Sequence, residues 1–298
     1  SVEINSLVEI AGRMLNRKES FGTNLNDSEE QAIKEIVCIG TSAGGARPKA
    51  VIAYNEKTGE VKSGQTNAPK GFEHWLIKLD GVSDIQLGVS QGYGRVEMAY
   101  YNMAKACGIT MMPSRLLEEN GRAHFMTKRF DREGGSTKHH IQTFCAMKHF
   151  DYNLVTSFSY EQLFQTMREL RLPYPEAEQM FRRMVFNVLS RNCDDHTKNF
   201  AFRLKKDGKW ELSPAYDVCH AYQPKHKWVS QHALSINGKR SDITKEDLLV
   251  IGRSIKHKKA EETIKEINNT VKKWKSFADD VGVTPKLRDE IASTLVQY

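Results

Sequence analysis

One polar turn, Asn192 to Phe200, holds the densest group of side chains that could do chemistry. Within it Asp194 and Asn199 stand five residues apart, and Asp217 follows eighteen residues later. Transfer of a phosphoryl group needs a carboxylate near the acceptor hydroxyl and oxygen ligands for Mg²⁺. This order of side chains predicts Asp194 as the base and Asn199 and Asp217 as Mg²⁺ ligands. Asp195 is an alternative base, although its spacing to Asn199 is one residue shorter.

A lysine at the end of an apolar strand is the next candidate. Lys78 follows His74-Trp-Leu-Ile, and a lysine there would be an odd residue to bury. In kinases a strand lysine pairs with nucleotide phosphates, and a helix glutamate holds it as an ion pair. Glu97, on the following predicted helix, suits that second role. The alternatives are a strand-end lysine whose ammonium reaches solvent and a solvated helix glutamate.

A glycine-rich segment, Gly40 to Ala46, could bring backbone N–H groups close to phosphates. It matches neither the P-loop pattern nor the glycine pattern of protein kinases. Gly40-Thr-Ser-Ala-Gly44 does match G-x-S-x-G, the nucleophile elbow of α/β-hydrolases, so a hydrolase using Ser42 is the alternative enzyme. An elbow leads into a helix, whereas here Arg47-Pro48 and a β-like run follow.

A short charged segment, Arg129 to Arg132, closes a predicted hairpin strand. Its position suits a hinge where backbone groups and Phe130 would meet an adenine. The alternative is a salt bridge at the strand end beside a core phenylalanine.

The element pattern predicts an α+β protein with a β-rich part before an α-rich part. Two helices over 5–37 precede strands near 50–54, 60–62 and 74–79, a helix over 96–106 and an Asn-Gly hairpin over 114–130. Helices are then predicted over 141–149, 159–170 and 174–191, a small hairpin over 200–212 and a helical tail over 247–297. This predicts a two-lobed, kinase-like fold, with an N-lobe at 1–130, a helical C-lobe at 131–298 and nucleotide held between them.

Composition is that of an ordinary soluble domain. The 298 residues carry a net charge of +7, with 39% hydrophobic and 27% charged residues. No apolar run approaches 18 residues, so no membrane span is expected. Five scattered cysteines without a C-x-x-C pair indicate free thiols in a cytoplasmic protein and give zinc little support.

Four segments together resemble the HipA family of serine/threonine kinases from bacterial toxin–antitoxin systems. They are Gly40 to Ala50, Lys128 to Arg132, Cys193 to Phe200 and Leu212 to Val218, in the family's order and spacing. The resemblance covers roughly residues 36 to 297 and implies a fold akin to protein and lipid kinases, with ATP and Mg²⁺ bound.

The resemblance also implies roles for single residues. Asp194 is similar to the catalytic aspartate, Asn199 and Asp217 to the Mg²⁺ ligands, His196 to a neighbour of the nucleotide, and Lys78 to the ATP-phosphate lysine. The family often has glycine after the catalytic aspartate, where this chain has an aspartate.

Further roles fall on the loop and the hinge. Lys128 to Phe130 are similar to the adenine hinge, and Ser42 lies where family members autophosphorylate. The implied phosphate loop comprises Ala43, Gly44, Gly45, Ala46 and Arg47. A phosphate on Ser42 would add close to two negative charges beside a site for ATP.

Partners are implied by the same resemblance. Only 39 residues precede Gly40, as in the short HipT-type kinases, whose missing N-terminal subdomain is a separate small protein (HipS-like). A helix-turn-helix antitoxin (HipB-like) would contact DNA, so this chain would meet DNA only indirectly. Family substrates include aminoacyl-tRNA synthetases. A pseudokinase-like binding module is the alternative outside enzymes, although no part of the phosphoryl-transfer set is missing.

Overall fold

The computed structural model describes residues 1–16, 27–38, 47–81 and 92–298. Contacts group them into two units, one of 1–98 with 112–138 and one of 99–111 with 139–298. The division into domains 1–130 and 131–298 stays a prediction.

The first unit begins with two helices and is built on an antiparallel sheet. Helices α1 (Ile4–Asn16) and α2 (Asp27–Ile36) precede strands β1 (Val37–Cys38), β2 (Lys49–Tyr54), β3 (Val61–Ser63), β4 (Glu73–Lys78), β5 (Ser114–Glu119) and β6 (Arg122–Lys128). The sheet order is β1-β2-β4-β6-β5, and β3 also pairs with β2. Two short strands, β7 (Arg132–Glu133) and β8 (Thr137–Lys138), pair separately.

The predicted Asn-Gly hairpin is present between β5 and β6. Asn120 and Gly121 both have positive φ, 48° and 74°, as the turn preferred in two-residue hairpins requires. Strand β4 lies between β2 and β6 in the middle of the sheet, which explains why its apolar run is buried. Helix α3 (Tyr93–Ala106) follows, and Gly108 beyond its end has a φ of 76°.

The second unit is mainly helical. Its elements are β9 (His140–Thr143), α4 (Phe144–Met147), α5 (Tyr160–Glu169), α6 (Tyr174–Leu189), β10 (Ala201–Leu204), β11 (Trp210–Leu212), α7 (Lys245–Ser254), α8 (Ala260–Val271), α9 (Trp274–Asp280) and α10 (Pro285–Ala292). Ser159 and Gln162 form a capping box that fixes the start of α5. The apolar face of α6 is buried, as its helical periodicity predicts.

The prediction of a helix over 141–149 is wrong. Residues of β9 pair antiparallel with β10, with Ile141 opposite Arg203, so a third strand joins the predicted small hairpin. Only α4 is helical, and Thr143 caps it by accepting a hydrogen bond from the Ala146 N–H. Pairing across about sixty residues overrides a local pattern in so short a segment.

The predicted α+β class, with a β-rich first part and a mainly helical second part, matches this architecture. Within the described ranges, every helix is too short or too polar to span a bilayer.

Candidate functional site

The predicted ion pair between Lys78 and Glu97 is present in the first unit. Lys78 ends β4, and its Nζ lies 2.7 Å from Glu97 Oε2 and 3.1 Å from Oε1. The side chains are only 7% and 2% exposed. Since a buried ammonium is costly without a counter-charge, Glu97 is what makes a lysine tolerable at this position.

Arg47 joins the same carboxylate. Its Nη2 lies 2.5 Å from Glu97 Oε1. Thus Arg47, the residue that follows the glycine-rich segment, is tied to the ion pair. Ser42 and the predicted phosphate-loop residues Ala43, Gly44, Gly45 and Ala46 lie outside the described residues.

Lys128 and its neighbours, the predicted adenine hinge, are engaged in local contacts. The Lys128 ammonium lies 2.9 Å from Glu73 and 3.1 Å from Glu56. Burial alone would lower the pKa of Lys128, but the two glutamates raise it above its usual value. Arg129 forms a salt bridge with Asp131 at 2.8 Å, which is the strand-end bridge given above as the alternative. The half-buried Phe130 follows Arg129.

In the second unit, the chain after α6 forms a bridge at Asn192 and then continues without regular secondary structure to a short 3₁₀ turn. Asn192 and Cys193 pair with Ala221, by a bridge and by a 3.0 Å hydrogen bond from the Cys193 N–H. Cys193 is fully buried and Asp195 is 1% exposed, whereas the Asp194 side chain between them is 19% exposed. Asp194 is therefore the aspartate that faces outward.

The Asp195 side chain is buried and hydrogen-bonded in the interior of the second unit. Its Oδ2 accepts hydrogen bonds from the Tyr160 hydroxyl at 2.6 Å and from His232 Nδ1 at 2.8 Å. Its Oδ1 accepts from the Ala233 N–H at 2.8 Å. The Asp195 carboxylate is buried and already accepts three hydrogen bonds, so the partly exposed Asp194 carboxylate is the more accessible of the two to an acceptor hydroxyl.

Asn199 is held against the backbone of Asp194. It ends a 3₁₀ turn (Thr197–Asn199) capped by His196, and its Nδ2 donates to the Asp194 carbonyl at 2.7 Å. With the amide nitrogen fixed, the orientation of the carbonyl oxygen is also fixed. A carbonyl oxygen is a ligand type that Mg²⁺ accepts.

Asp217 lies on the same small cavity as Asn199. This cavity, about 20 Å³ and thus large enough for one water molecule, is lined by twelve residues of the second unit, among them Asn199, Asp217 and Asp195. Asp217 has a φ of 52°, a left-handed backbone that aspartate tolerates better than most residues. The structure thus brings together both predicted metal ligands.

His196 lies beside Asp194 rather than apart from it. Its Nδ1 accepts a hydrogen bond from the Lys198 N–H, so the neutral ring carries its proton on Nε2, which is 3.7 Å from Asp194 Oδ1. The Tyr152 ring packs edge-on against this imidazole, and the Lys198 ammonium lies 3.7 Å from the centre of the Tyr152 ring. Burial, followed by the Asp194 charge, raises the pKa of Tyr152.

Sequence reasoning missed Tyr152, Tyr160 and His232. Tyr160 and His232 lie 35 and 37 residues along the chain from Asp195, which they contact, Tyr152 is further still from its partner His196, and none belongs to a short motif. A lone histidine or tyrosine in a mixed polar and apolar stretch gives no local signal.

The donor set fits a hard cation. In the part of the chain that the structure describes, no three His, Cys, Asp or Glu side chains cluster as a metal centre. Asn199 and Asp217 instead offer one carbonyl and one carboxylate, and Mg²⁺ is commonly held by one or two carboxylates together with substrate phosphates.

Comparison with known proteins gives a family and a fold. The model of the family described as HipA-like C-terminal domain matches residues 41–275 of this chain. The chain is similar to a structure described as the Shewanella oneidensis MR-1 toxin–antitoxin system HipA, HipB and operator DNA complex, with a TM-score of 0.64 and 17% identity over 96% of this chain and 68% of that one. A Helicobacter pylori proinflammatory kinase, CtkA, matches with a TM-score of 0.48 and 14% identity over 75% and 88%. No curated protein sequence matches the chain significantly. The predicted HipA-like fold is confirmed.

Proposed function

The chain belongs to the HipA-like C-terminal domain family, and from that premise we propose that it is an ATP- and Mg²⁺-dependent serine/threonine protein kinase. The observation that carries the proposal is the arrangement around Asp194. The Asn199 carboxamide is fixed against the backbone carbonyl of Asp194, whose side chain is partly exposed, and Asn199 shares a cavity with Asp217.

In the proposed reaction Asp194 orients the acceptor hydroxyl and takes its proton as the oxygen attacks the γ-phosphorus, while the bond from that phosphorus to the bridging oxygen breaks and ADP leaves. Asn199 and Asp217 would hold Mg²⁺ through a carbonyl and a carboxylate oxygen. When bound, the ion would neutralise charge on the phosphate oxygens. His196, with its proton on the nitrogen nearest Asp194, would stabilise the charged form of that carboxylate.

In the first unit, Lys78 would bind ATP phosphates. Glu97 keeps the lysine in one place, and Arg47 adds a second positive charge at the end of the proposed phosphate loop. The three side chains together carry a net charge of +1, which suits a polyphosphate. Lys128 would contribute to an adenine hinge through its backbone, because its ammonium is held by two glutamates.

Further parts of the proposal come from the family resemblance. Ser42 would be the site of autophosphorylation, and the acceptor protein would be translation-related, such as an aminoacyl-tRNA synthetase. The Shewanella structure is described as a complex of HipA with HipB and operator DNA, which supports a HipB-like antitoxin as a partner of this chain. A separate HipS-like protein and a cytoplasmic location belong to the same proposal.

The rival serine hydrolase has less support. A nucleophile elbow needs a helix after its turn, whereas the next described element after the Gly40–Gly44 motif is strand β2. A pseudokinase-like binding module would retain nucleotide without transferring phosphate.

One experiment separates these functions. The chain is incubated with γ-labelled ATP and Mg²⁺ beside its Asp194→Asn, Asp195→Asn and Ser42→Ala variants, after its intact mass has been checked for phosphate already present. The kinase proposal expects label on Ser42 that is lost in Asp194→Asn and in Ser42→Ala. ATP binding without transfer would identify a pseudokinase, and ester cleavage lost in Ser42→Ala, without ATP binding, a hydrolase.

A further inference from the structure

His232 contacts the residues on both sides of Asp194. Its Nδ1 lies 2.8 Å from Asp195 Oδ2, and its Nε2 lies 3.8 Å from Cys193 Sγ. None of these three side chains is more than 2% exposed. We propose that His232 is a positioning residue for the proposed phosphoryl transfer, and that it fixes Asp194 by holding Cys193 and Asp195 from inside.

The backbone geometry supports this role. The Cys193 and Asp195 side chains both contact the buried imidazole, whereas the Asp194 side chain between them is 19% exposed. A single ring thus sets the position of the Asp194 backbone from two sides. The inference rests on the proposed function, since a base needs to be positioned only if the chain transfers phosphate.

A network of hydrogen bonds keeps the Asp195 carboxylate from moving. Asn187 Nδ2 donates to the Tyr160 oxygen at 3.1 Å, and Tyr160 donates to Asp195. Asn192 Nδ2 donates to Asn187 Oδ1 at 3.0 Å. The network therefore includes Asn192, the residue before Cys193. One buried polar cluster thus holds the chain at Asn192 and again at Asp195.

Charge favours the same arrangement. Burial alone would lower the pKa of His232, but Asp195 and Cys193 raise it to about 10. The Asp195 carboxylate thus favours the protonated ring, in which both nitrogens are donors. Arg240 holds the histidine's own segment, because its guanidinium donates to the carbonyls of His232, Ala233 and Phe158.

Variants at this position distinguish positioning from packing. The amide nitrogen of His232→Asn can replace Nδ1 and keep the bond to Asp195, whereas His232→Leu keeps volume and loses both donors. We expect kcat to fall about a hundredfold in His232→Leu and about threefold in His232→Asn, with the KM for ATP within about twofold of wild type, since small misplacement of a catalytic group has effects of this size. His257→Leu, at another buried histidine of the second unit, is the matched control and should leave kcat unchanged.

Several results would overturn the role. They are an unchanged kcat in folded His232→Leu, an asparagine variant no more active than the leucine variant, or a KM for ATP that rises as kcat falls. If His232→Leu does not fold, Cys193→Ala removes one contact with a smaller change, and unaltered kcat together with unaltered amide exchange over 193–199 would count against the proposal. A wild-type chain that transfers no phosphate overturns the proposed function and this role together, whereas an active wild type with unaffected variants overturns the role alone.

Discussion

Glu97 accepts hydrogen bonds from two cations, with Lys78 Nζ 2.7 Å from Oε2 and Arg47 Nη2 2.5 Å from Oε1. A buried carboxylate between two cations stabilises both, and it links Arg47 to the strand that carries the lysine. Lys78, Arg47 and Glu97 therefore form a cluster with a net positive charge in the first unit, in which the Glu97 carboxylate fixes the positions of the two cations.

Replacing the lysine should separate nucleotide binding from folding. In Lys78→Met, Glu97 keeps Arg47 as a partner, so the loss of unfolding free energy should stay below the roughly 3–5 kcal/mol typical of a buried pair that loses one member. ATP affinity should fall at least about tenfold, about 1.4 kcal/mol, because a charge-assisted contact to phosphate is lost. Calorimetric titration and urea unfolding measure the two effects. Lys62→Met, on strand β3, is the control, and equal ATP affinity in both variants would contradict the assignment.

Gly94 lets helix α3 approach the sheet. A Cβ at this position would lie 2.0 Å from the Ala123 carbonyl oxygen, a backbone atom that cannot turn away. Gly94→Ala should therefore push the first turn of α3 from β6 and displace Glu97, one turn further along. We expect a loss of about 1–3 kcal/mol in unfolding free energy and a parallel loss of ATP affinity.

The control for that prediction is Lys105→Ala, an exposed position near the end of the same helix, which should change neither quantity. Destabilisation of Gly94→Ala with normal ATP affinity would show that Glu97 keeps its place without the close contact.

The sequence predicted the parts of the site that short patterns carry. The Lys78–Glu97 pair followed from an apolar strand ending in lysine and a helix after it. The choice between Asp194 and Asp195 could not follow, because both lie in one turn and the decision depends on Tyr160 and His232, which the fold brings to Asp195 from 35 and 37 residues away. The helix prediction over 141–149 was wrong for the same reason, because strand β9 in that segment pairs with β10, which is about sixty residues away in the sequence.

His220 should make the second unit sensitive to acid. Burial, followed by the charge of Arg191, lowers the pKa of His220 from 6.5 to about 4, so the folded state holds the ring neutral. Below pH 6.5 the unfolded chain binds a proton that the folded chain refuses, and stability falls as pH drops from 6.5 towards 4. The whole effect is about 3 kcal/mol at most, from 1.36 kcal/mol per pKa unit.

Urea unfolding at pH 7 and pH 5 tests this effect. His220→Gln can keep a polar contact to Thr294, which lies 2.9 Å from Nε2, but cannot titrate. It should lose less stability than wild type between the two pH values, whereas His140→Gln, at an exposed histidine, should follow wild type. Identical pH dependence in wild type and His220→Gln would contradict a buried neutral imidazole.

Asp217 combines a chemical role with an unusual backbone, and three substitutions separate them. Its φ of 52° costs most residues about 1–2 kcal/mol, whereas asparagine tolerates it and glycine adopts it freely. Asp217→Asn should keep the unfolding free energy within about 0.5 kcal/mol, and Asp217→Ala should lose about 1 kcal/mol relative to Asp217→Gly. All three should reduce phosphotransfer by about a hundredfold or more, because each removes the carboxylate proposed to hold Mg²⁺.

Magnesium dependence identifies which role matters. The activity left in Asp217→Asn should need a higher Mg²⁺ concentration for half-saturation, since an amide oxygen is a weaker ligand than a carboxylate. Asp207→Asn, in the exposed turn between β10 and β11, is the matched control and should leave the Mg²⁺ dependence unchanged. An Asp217→Asn variant with wild-type Mg²⁺ dependence would remove this residue from the metal site, whereas loss of activity that followed only the order of stability, alanine lowest, would make its role one of backbone conformation.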